Sequence, residues 1–206
     1  MQKNHAKALK APKTGTIAER VKVFTAEDIQ KTLDACDRYP TVNRFGYDNP
    51  ERVRAFVLTL RYTGLRIGDC IGLKKSHLDG DRLFLRTQKT GTPVYVPVPK
   101  HVVDQLHMIG SGHEYFFWTG NGKRDSAVSV WERTLRRLFE LADVKGNPHM
   151  CRHTFATDLL ARGVPLEDVA ILLGHSSPVI TGKYSAHFVK ARRERLEQRV
   201  RQLWAD

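Results

Sequence analysis

Apolar residues recur at helical spacing along most of the chain. The stretch VFTAEDIQKTLDACD begins the ordered part, with Thr25 and Asp28 spaced as a near capping box. In ERVRAFVLTLRYTG the apolar positions repeat with a helical period that ends at Gly64. A short helix is expected in RIGDCIGLKK. Further helices are predicted over residues 99–109, 125–142, 149–162, 165–173 and 188–203.

The period changes from helical to alternating in one segment. DRLFLRTQKTGTPVYVPVP carries β-forming runs on both sides of a Lys-Thr-Gly-Thr turn, which is typical of an antiparallel hairpin. Lys89 then lies at the tip of that hairpin. The sequence therefore predicts a mainly α fold with a small antiparallel β-sheet, an α+β architecture.

Composition adds a preference for a polyanionic partner. Lys and Arg number 34 against 22 for Asp and Glu, which gives a net charge of +12, and such an excess favours binding to phosphates. A solvated basic surface without a specific partner is the other interpretation. The three cysteines are widely separated, so a disulfide framework is not expected. No secretory signal and no apolar run of about 20 residues is present, and we expect a cytoplasmic protein.

Six residues could carry chemistry, although each has an ordinary structural interpretation. Arg66 follows a Gly-Leu turn and could simply pair with Asp69, and a lysine at a polar turn is usually only solvated. A zinc site at His149 and His153 is disfavoured, because the residues between them are Met, Cys and Arg. His175 follows a helix-ending glycine, and a tyrosine nine positions later could be a packed aromatic. The ordered set is Arg66, Lys89, His149, Arg152, His175 and Tyr184.

The set as a whole suits one kind of reaction. It contains cations, imidazoles and one nucleophile, and it lacks the carboxylate cluster that two-metal hydrolysis requires. Arginines hold a phosphate through bidentate contacts and remain charged. A lysine or histidine can protonate a departing sugar oxygen. The consistent chemistry is attack by Tyr184 on a phosphodiester, which leaves a covalent phosphotyrosine.

The segments that contain these residues resemble the catalytic domain of the tyrosine recombinases, the phage integrase family. The matching segments are TGLRIGD, TQKTG, HMCRH, LGHSS and TGKYSAH, in family order, and the resemblance covers roughly residues 21–206. It implies that Arg66 and Arg152 hold the scissile phosphate and that His175 hydrogen-bonds the same oxygens. It further implies that Lys89 is the general acid, His149 the base, and Tyr184 the nucleophile of a 3′-phosphotyrosyl intermediate. Neither a metal ion nor ATP is then required.

The resemblance also carries expectations about domains and partners. Family members generally carry a helical core-binding domain before the catalytic domain, whereas here residues 1–20 read as a basic leader or linker, or as a tag. We expect residues 21–206 to form the catalytic domain and the core-binding domain to be absent from this chain. Two positions depart from the family pattern, Asp69 where Glu is commoner and Cys151 where Leu is usual. The implied partners are double-stranded DNA and further copies of the chain in a synaptic assembly, with nucleoid association when DNA is bound.

Two other functions remain open from the sequence. One is a DNA-binding remnant of a truncated integrase that has no strand-exchange activity. The other is strand relaxation of the type IB topoisomerase kind, which uses similar phosphotyrosine chemistry.

Overall fold

The computed structural model describes residues 21–40, 50–110 and 112–175. Within these ranges the chain forms seven α-helices and one three-stranded sheet. The helices are α1 Ala26–Asp37, α2 Pro50–Thr63, α3 Ile67–Ile71, α4 Lys100–Met108, α5 Arg124–Leu141, α6 Pro148–Ala161 and α7 Leu166–Leu172. The strands are β1 Leu78–Asp79, β2 Arg82–Arg86 and β3 Pro93–Pro97. The predicted mainly α fold with a small antiparallel sheet is confirmed.

Helix α2 lies at the centre of the core. It packs against α1, α4 and α6, and it is buried around most of its circumference, through Val53, Ala55, Phe56, Val57, Leu58 and Leu60. A helix that is buried over most of its surface lies in the interior of the fold. The Phe56 ring stacks on Trp131 of α5 with a centroid distance of 3.9 Å. This central helix ends at the turn that carries Arg66.

The predicted capping box at the start of α1 is confirmed. Thr25 Oγ1 accepts a hydrogen bond from the Asp28 amide at 3.0 Å, and an Asp28 carboxylate oxygen accepts one from the Thr25 amide at 2.9 Å. These contacts satisfy donors that the first turn of a helix would leave without a partner. Just before them, the Phe24 amide donates to Thr154 Oγ1 at 2.8 Å, which ties the beginning of α1 to α6.

The sheet runs in the order β1-β2-β3 with antiparallel neighbours. Phe84 pairs with Tyr95 and Leu85 with Val94. Because side chains alternate across a strand, one face carries the buried residues Leu83, Leu85, Val94 and Val96, and β3 packs against α7. The opposite face is exposed.

Three details differ from the sequence predictions. Helix α3 ends at Ile71 with Gly72 as its C-cap and does not extend through the following lysines. The two-residue strand β1 was not predicted, since it is too short to have a periodic pattern. Pro165 precedes α7 and is not its first residue. The predicted helix over residues 188–203 lies outside the described residues, and none of the described helices is long and apolar enough to cross a membrane.

Candidate active site

Arg152 connects two turns that are far apart in the sequence. It lies in α6 and is 5% exposed. Its Nη1 donates to the carbonyl of Gly64 and its Nη2 to the carbonyl of Leu173, both at 2.7 Å. Gly64 stands two residues before Arg66, and Leu173 stands two residues before His175. The guanidinium therefore joins the turn that carries Arg66 to the turn that carries His175.

Two glycines allow these turns to pack tightly. Gly64 has φ +63° and Gly174 has φ +60°, the left-handed region that side chains rarely adopt. A Cβ on Gly64 would lie 2.5 Å from Cδ1 of Phe155 in α6. A Cβ on Gly174 would lie 2.6 Å from Cγ2 of Val94 in β3. The turn that carries His175 is thus held directly against the hairpin.

Arg66 is connected to the hairpin through Asp69. It immediately precedes α3, and its Nη1 lies 3.9 Å from Oδ2 of Asp69, which is 3% exposed. Both of these atoms are buried and make no hydrogen bond among the described residues. The other carboxylate oxygen of Asp69 accepts a hydrogen bond from the Gln88 amide at 2.7 Å. Because Gln88 is adjacent to Lys89, one carboxylate links the Arg66 turn to the hairpin tip.

Lys89 lies in the exposed turn between β2 and β3, as predicted. The base of this turn is well ordered by hydrogen bonds, since Gly91 donates its amide to the Thr87 carbonyl at 2.8 Å and the hydroxyls of Thr87 and Thr90 are 2.7 Å apart. Thr87 itself is 3% exposed. The turn therefore has a fixed base, while the lysine side chain extends into solvent.

His149 lies at the edge of a cleft and is exposed. The cleft has a volume of about 600 Å³ and is lined by Ile67, Glu132, Arg136, Phe139, Gly146, Asn147, Pro148, His149 and His153. Ile67 follows Arg66, so the cleft opens beside the Arg66 turn. The rings of His149 and His153 have centroids 6.5 Å apart. Among the residues that the structure describes, no cluster of three or more His, Cys, Asp or Glu side chains could hold a metal ion.

His175 is the last described residue of the site. Its side chain is half-buried, and its amide donates to the Ala170 carbonyl at 2.9 Å, which closes the end of α7. Tyr184 lies outside the described residues. Five of the six predicted residues can therefore be located, and Arg66, Lys89, Arg152 and His175 belong to segments that hydrogen bonds or glycine contacts join directly.

Two buried thiols lie beside these residues. Burial, with smaller contributions from Asp69 and Cys151, raises the pKa of Cys70 well above its usual value. Burial also raises the pKa of Cys151 to about 12. A thiol is a nucleophile only as its thiolate, so neither cysteine is available for attack at neutral pH. Cys151 packs as an apolar residue next to Arg152.

Arg124 is a contributor that sequence reasoning missed. It is the first residue of α5, and its Nη2 donates to the Gly68 carbonyl in α3 at 2.6 Å. This contact fixes the short helix that carries Asp69. The two glycines of IGDCIG were a usable signal, since glycines one helical turn apart often mark a close approach by a neighbouring group.

Known proteins resemble this chain over most of its length. Residues 22–191 match the profile described as the phage integrase family. The tyrosine recombinase XerA of Thermococcus kodakarensis is 31% identical over 204 residues, which cover 95% of this chain and 68% of that protein.

Two solved structures share the fold at lower identity. A crystal structure of XerA recombinase aligns with a TM-score of 0.67 at 24% identity, over 86% of this chain and 65% of that one. The second is XerH site-specific recombinase, bound to palindromic difH substrate in a post-cleavage complex. It aligns with a TM-score of 0.66 at 18% identity, over 91% of this chain and 54% of that one. The chain thus spans between 54% and 68% of the length of these proteins. Since the family profile matches most of the sequence, the chain belongs to the phage integrase family.

Proposed function

We propose that this chain is a site-specific DNA recombinase that cleaves and rejoins DNA strands through a 3′-phosphotyrosyl bond to Tyr184. The observation that supports this most is the position of Arg152, whose guanidinium bonds the Gly64 and Leu173 carbonyls. Those contacts assemble two cationic segments around one point before any substrate arrives. Such preorganised charge is what stabilises a phosphoryl transition state.

The scissile phosphate would bind between Arg66 and Arg152. The Arg66 side chain is 24% exposed, so a phosphate oxygen could reach its guanidinium while Nη1 stays beside Asp69. The planar fork of an arginine suits such bidentate contact with a phosphate. His175, on the turn that Arg152 holds, would donate to the same non-bridging oxygens.

The reaction would proceed by two reciprocal transfers. The Tyr184 hydroxyl attacks phosphorus, His149 takes its proton, and the bond from phosphorus to the 5′-oxygen breaks. Lys89 delivers a proton to that departing oxygen. In the second step the 5′-hydroxyl of another strand attacks the phosphotyrosine, the tyrosine oxygen leaves, and the protons return. The two steps conserve the phosphodiester bond energy, so the proposal requires neither ATP nor a metal ion.

The proposed partners are double-stranded DNA and other copies of the chain. The net charge of +12 favours DNA phosphates, and the related XerH was crystallised on a palindromic DNA. A palindrome presents two equivalent half-sites, which suits a pair of identical protomers. In this proposal residues 21–206 form the catalytic domain, and residues 1–20 are a basic leader or linker.

A covalent-adduct selection tests the proposal. The chain is incubated with a pool of nicked duplexes of randomised sequence, in a chelator and without ATP, and denaturation-resistant protein–DNA adducts are isolated. We expect adducts that map to Tyr184 by mass spectrometry and vanish in Tyr184→Phe. Tyr62→Phe, which removes a phenol hydroxyl from α2, is the control and should keep them.

Three results would contradict the proposal. They are adducts that persist in Tyr184→Phe, adducts that form only with a metal ion or ATP, and salt-sensitive DNA binding that yields no adduct on any duplex. The last result would indicate a DNA-binding module without strand exchange.

A further inference from the structure

The solvent face of the sheet carries two large aromatic side chains. Phe84 of β2 and Tyr95 of β3 are directly opposite each other in the register. They are 53% and 50% exposed. Large apolar side chains that form an exposed pair more often mark a contact surface than isolated ones do. The inner face of the same strands already packs against the core, so the aromatic pair is not required to bury the sheet.

Arginines flank the aromatic pair on the same face. Arg82 and Arg86 alternate with buried residues along β2, and they are four positions apart, which is about 13 Å along a strand. Phe84 lies midway between them. We refer to Arg82, Phe84, Arg86 and Tyr95 as the outer sheet face. Lys89 lies beyond Arg86, at the hairpin tip.

Two carboxylates lie at the far end of this face. Asp79 of β1 pairs with Arg82 in the register, and Asp81 Oδ1 lies 3.6 Å from Arg82 Nε. The side chains of Arg82 and Asp81 are 61% and 73% exposed, so water screens their attraction and the pair is weak. Arg86 Nη1 donates to the Gly91 carbonyl at 3.2 Å, and this contact orients the side chain. A guanidinium has five N–H donors, so others remain for a ligand.

Several occupants fit this face poorly. The chain's own C-terminal segment is rich in arginine, as in KARRERLEQRVRQ, and like charge would repel it. A second copy related by a two-fold axis would bring arginines against arginines. A strand added to the edge of the sheet is disfavoured because β3 begins and ends with proline. A ligand that is both anionic and rich in flat rings fits best.

We propose that the outer sheet face binds single-stranded DNA. The Phe84 and Tyr95 rings would stack on successive bases, and Arg82 and Arg86 would hold the flanking phosphates. This combination of aromatic platforms and a basic track is how proteins bind single strands without reading their sequence. The binding is non-covalent and does not depend on Tyr184. It therefore goes beyond the proposed cleavage function and can stand or fall separately from it.

The test measures binding of an oligothymidylate of about 12 nucleotides, a length typical of single-strand sites. Fluorescence anisotropy is recorded with the 206-residue chain carrying Tyr184→Phe, so that no adduct contributes. Phe84→Thr combined with Tyr95→Thr removes both rings while retaining strand-forming residues. We expect this variant to lose at least about tenfold in affinity and to bind duplex DNA as before. Met108→Thr, which removes an exposed side chain from α4, should leave both affinities unchanged.

A second pair of variants distinguishes binding at the outer sheet face from attraction to the net positive charge of the chain. Arg82→Gln with Arg86→Gln should weaken oligothymidylate binding and reduce its dependence on salt. Arg133→Gln with Lys145→Gln removes the same charge from exposed positions elsewhere and should weaken it much less. Photo-cross-linking of a 5-iododeoxyuridine oligomer should label the peptide that contains Phe84 or Tyr95.

Four outcomes would overturn the proposal. The first is unchanged oligothymidylate affinity in the Phe84 and Tyr95 variant, and the second is an equal loss on duplex DNA. The third is a change in oligomeric state in that variant, seen by light scattering, which would make this face a contact between copies. The fourth is tighter binding of an oligouridylate, which would assign the face to RNA. A circular dichroism spectrum equal to that of the unmodified chain confirms that each variant is folded.

Discussion

Arg152 and Lys89 are both cations of the candidate site, but one is buried and the other is exposed. Arg152 is 5% exposed and bonded to two backbone carbonyls from separate turns, whereas Lys89 extends from an exposed turn whose base alone is fixed. The buried arginine is part of the packing, so its position is set when the chain folds. The lysine side chain is exposed, so packing does not fix its position in the same way. In the proposed function, the phosphate would therefore meet a preorganised cation, and the proton would come from an exposed one.

The largest effect is expected from substitution of the buried arginine. Arg152→Ala removes the charge and both carbonyl contacts, and we expect DNA cleavage to fall by at least about 10³. Loss of these buried hydrogen bonds should also lower the free energy of unfolding by about 2–4 kcal/mol. Arg152→Lys retains the charge and isolates the role of the planar guanidinium and its paired N–H donors.

Both quantities are measurable separately. Single-turnover adduct formation on a duplex recovered from the selection reports cleavage, and urea unfolding reports stability. Arg133→Ala, at an exposed position of α5, is the control and should affect neither. A stable Arg152→Ala variant with normal cleavage would show that the guanidinium is neither structural nor catalytic.

Substitution of Lys89 should slow cleavage without changing stability. Lys89→Ala is expected to slow cleavage by about 10² through loss of the general acid, with no change in the urea midpoint, because the side chain is exposed. A substrate whose bridging 5′-oxygen is replaced by sulfur has a leaving group that needs no proton. It should therefore restore most of the lost rate. Failure of that substrate to restore the rate would argue against a role for Lys89 in proton transfer.

The sequence predicted the local elements that carry Arg152 and Lys89 better than it predicted how these elements are held together. Local signals were sufficient for the capping box at Thr25, the helix end at Gly64 and the hairpin turn at Lys89, because each depends on a few neighbouring residues. The contacts of Arg152 join residues that are 88 and 21 positions away from it. No periodic pattern encodes such contacts, since they depend on how finished helices pack.

The fit of glycine turns against side chains was equally hidden in the sequence. Gly174 looked like a helix-ending glycine, which it is, but its contact with Val94 depends on the docking of α7 onto the hairpin. The same limitation applies to the link from Asp69 to the Gln88 amide. The position of Tyr184 remains a prediction from the sequence.

Two glycines with similar backbone angles differ in how closely their neighbours pack. Gly174 and Gly91 both have positive φ, +60° and +66°, but an added Cβ at Gly91 would meet nothing within 4 Å whereas one at Gly174 would be 2.6 Å from Val94. Gly91→Ala should therefore lower the free energy of unfolding by the backbone strain alone, about 1 kcal/mol. Gly174→Ala should cost about 2–3 kcal/mol, because overpacking is added. Equal losses in urea unfolding would mean that α7 is not docked tightly on the hairpin.

The smallest effect should come from the carboxylate that connects the two regions. Asp69→Asn retains an oxygen that can accept from the Gln88 amide but replaces a charge-assisted hydrogen bond by a neutral one, and we expect a loss of about 1 kcal/mol in unfolding free energy. Asp69→Ala removes the acceptor as well and leaves the part-buried Gln88 amide without it, so it should lose more. If the carboxylate positions the hairpin tip, combining Asp69→Ala with Lys89→Ala should slow cleavage less than the product of the two single effects. Full additivity in this double-mutant cycle would indicate that Asp69 acts on Arg66 alone, and that the hairpin reaches its position without the link.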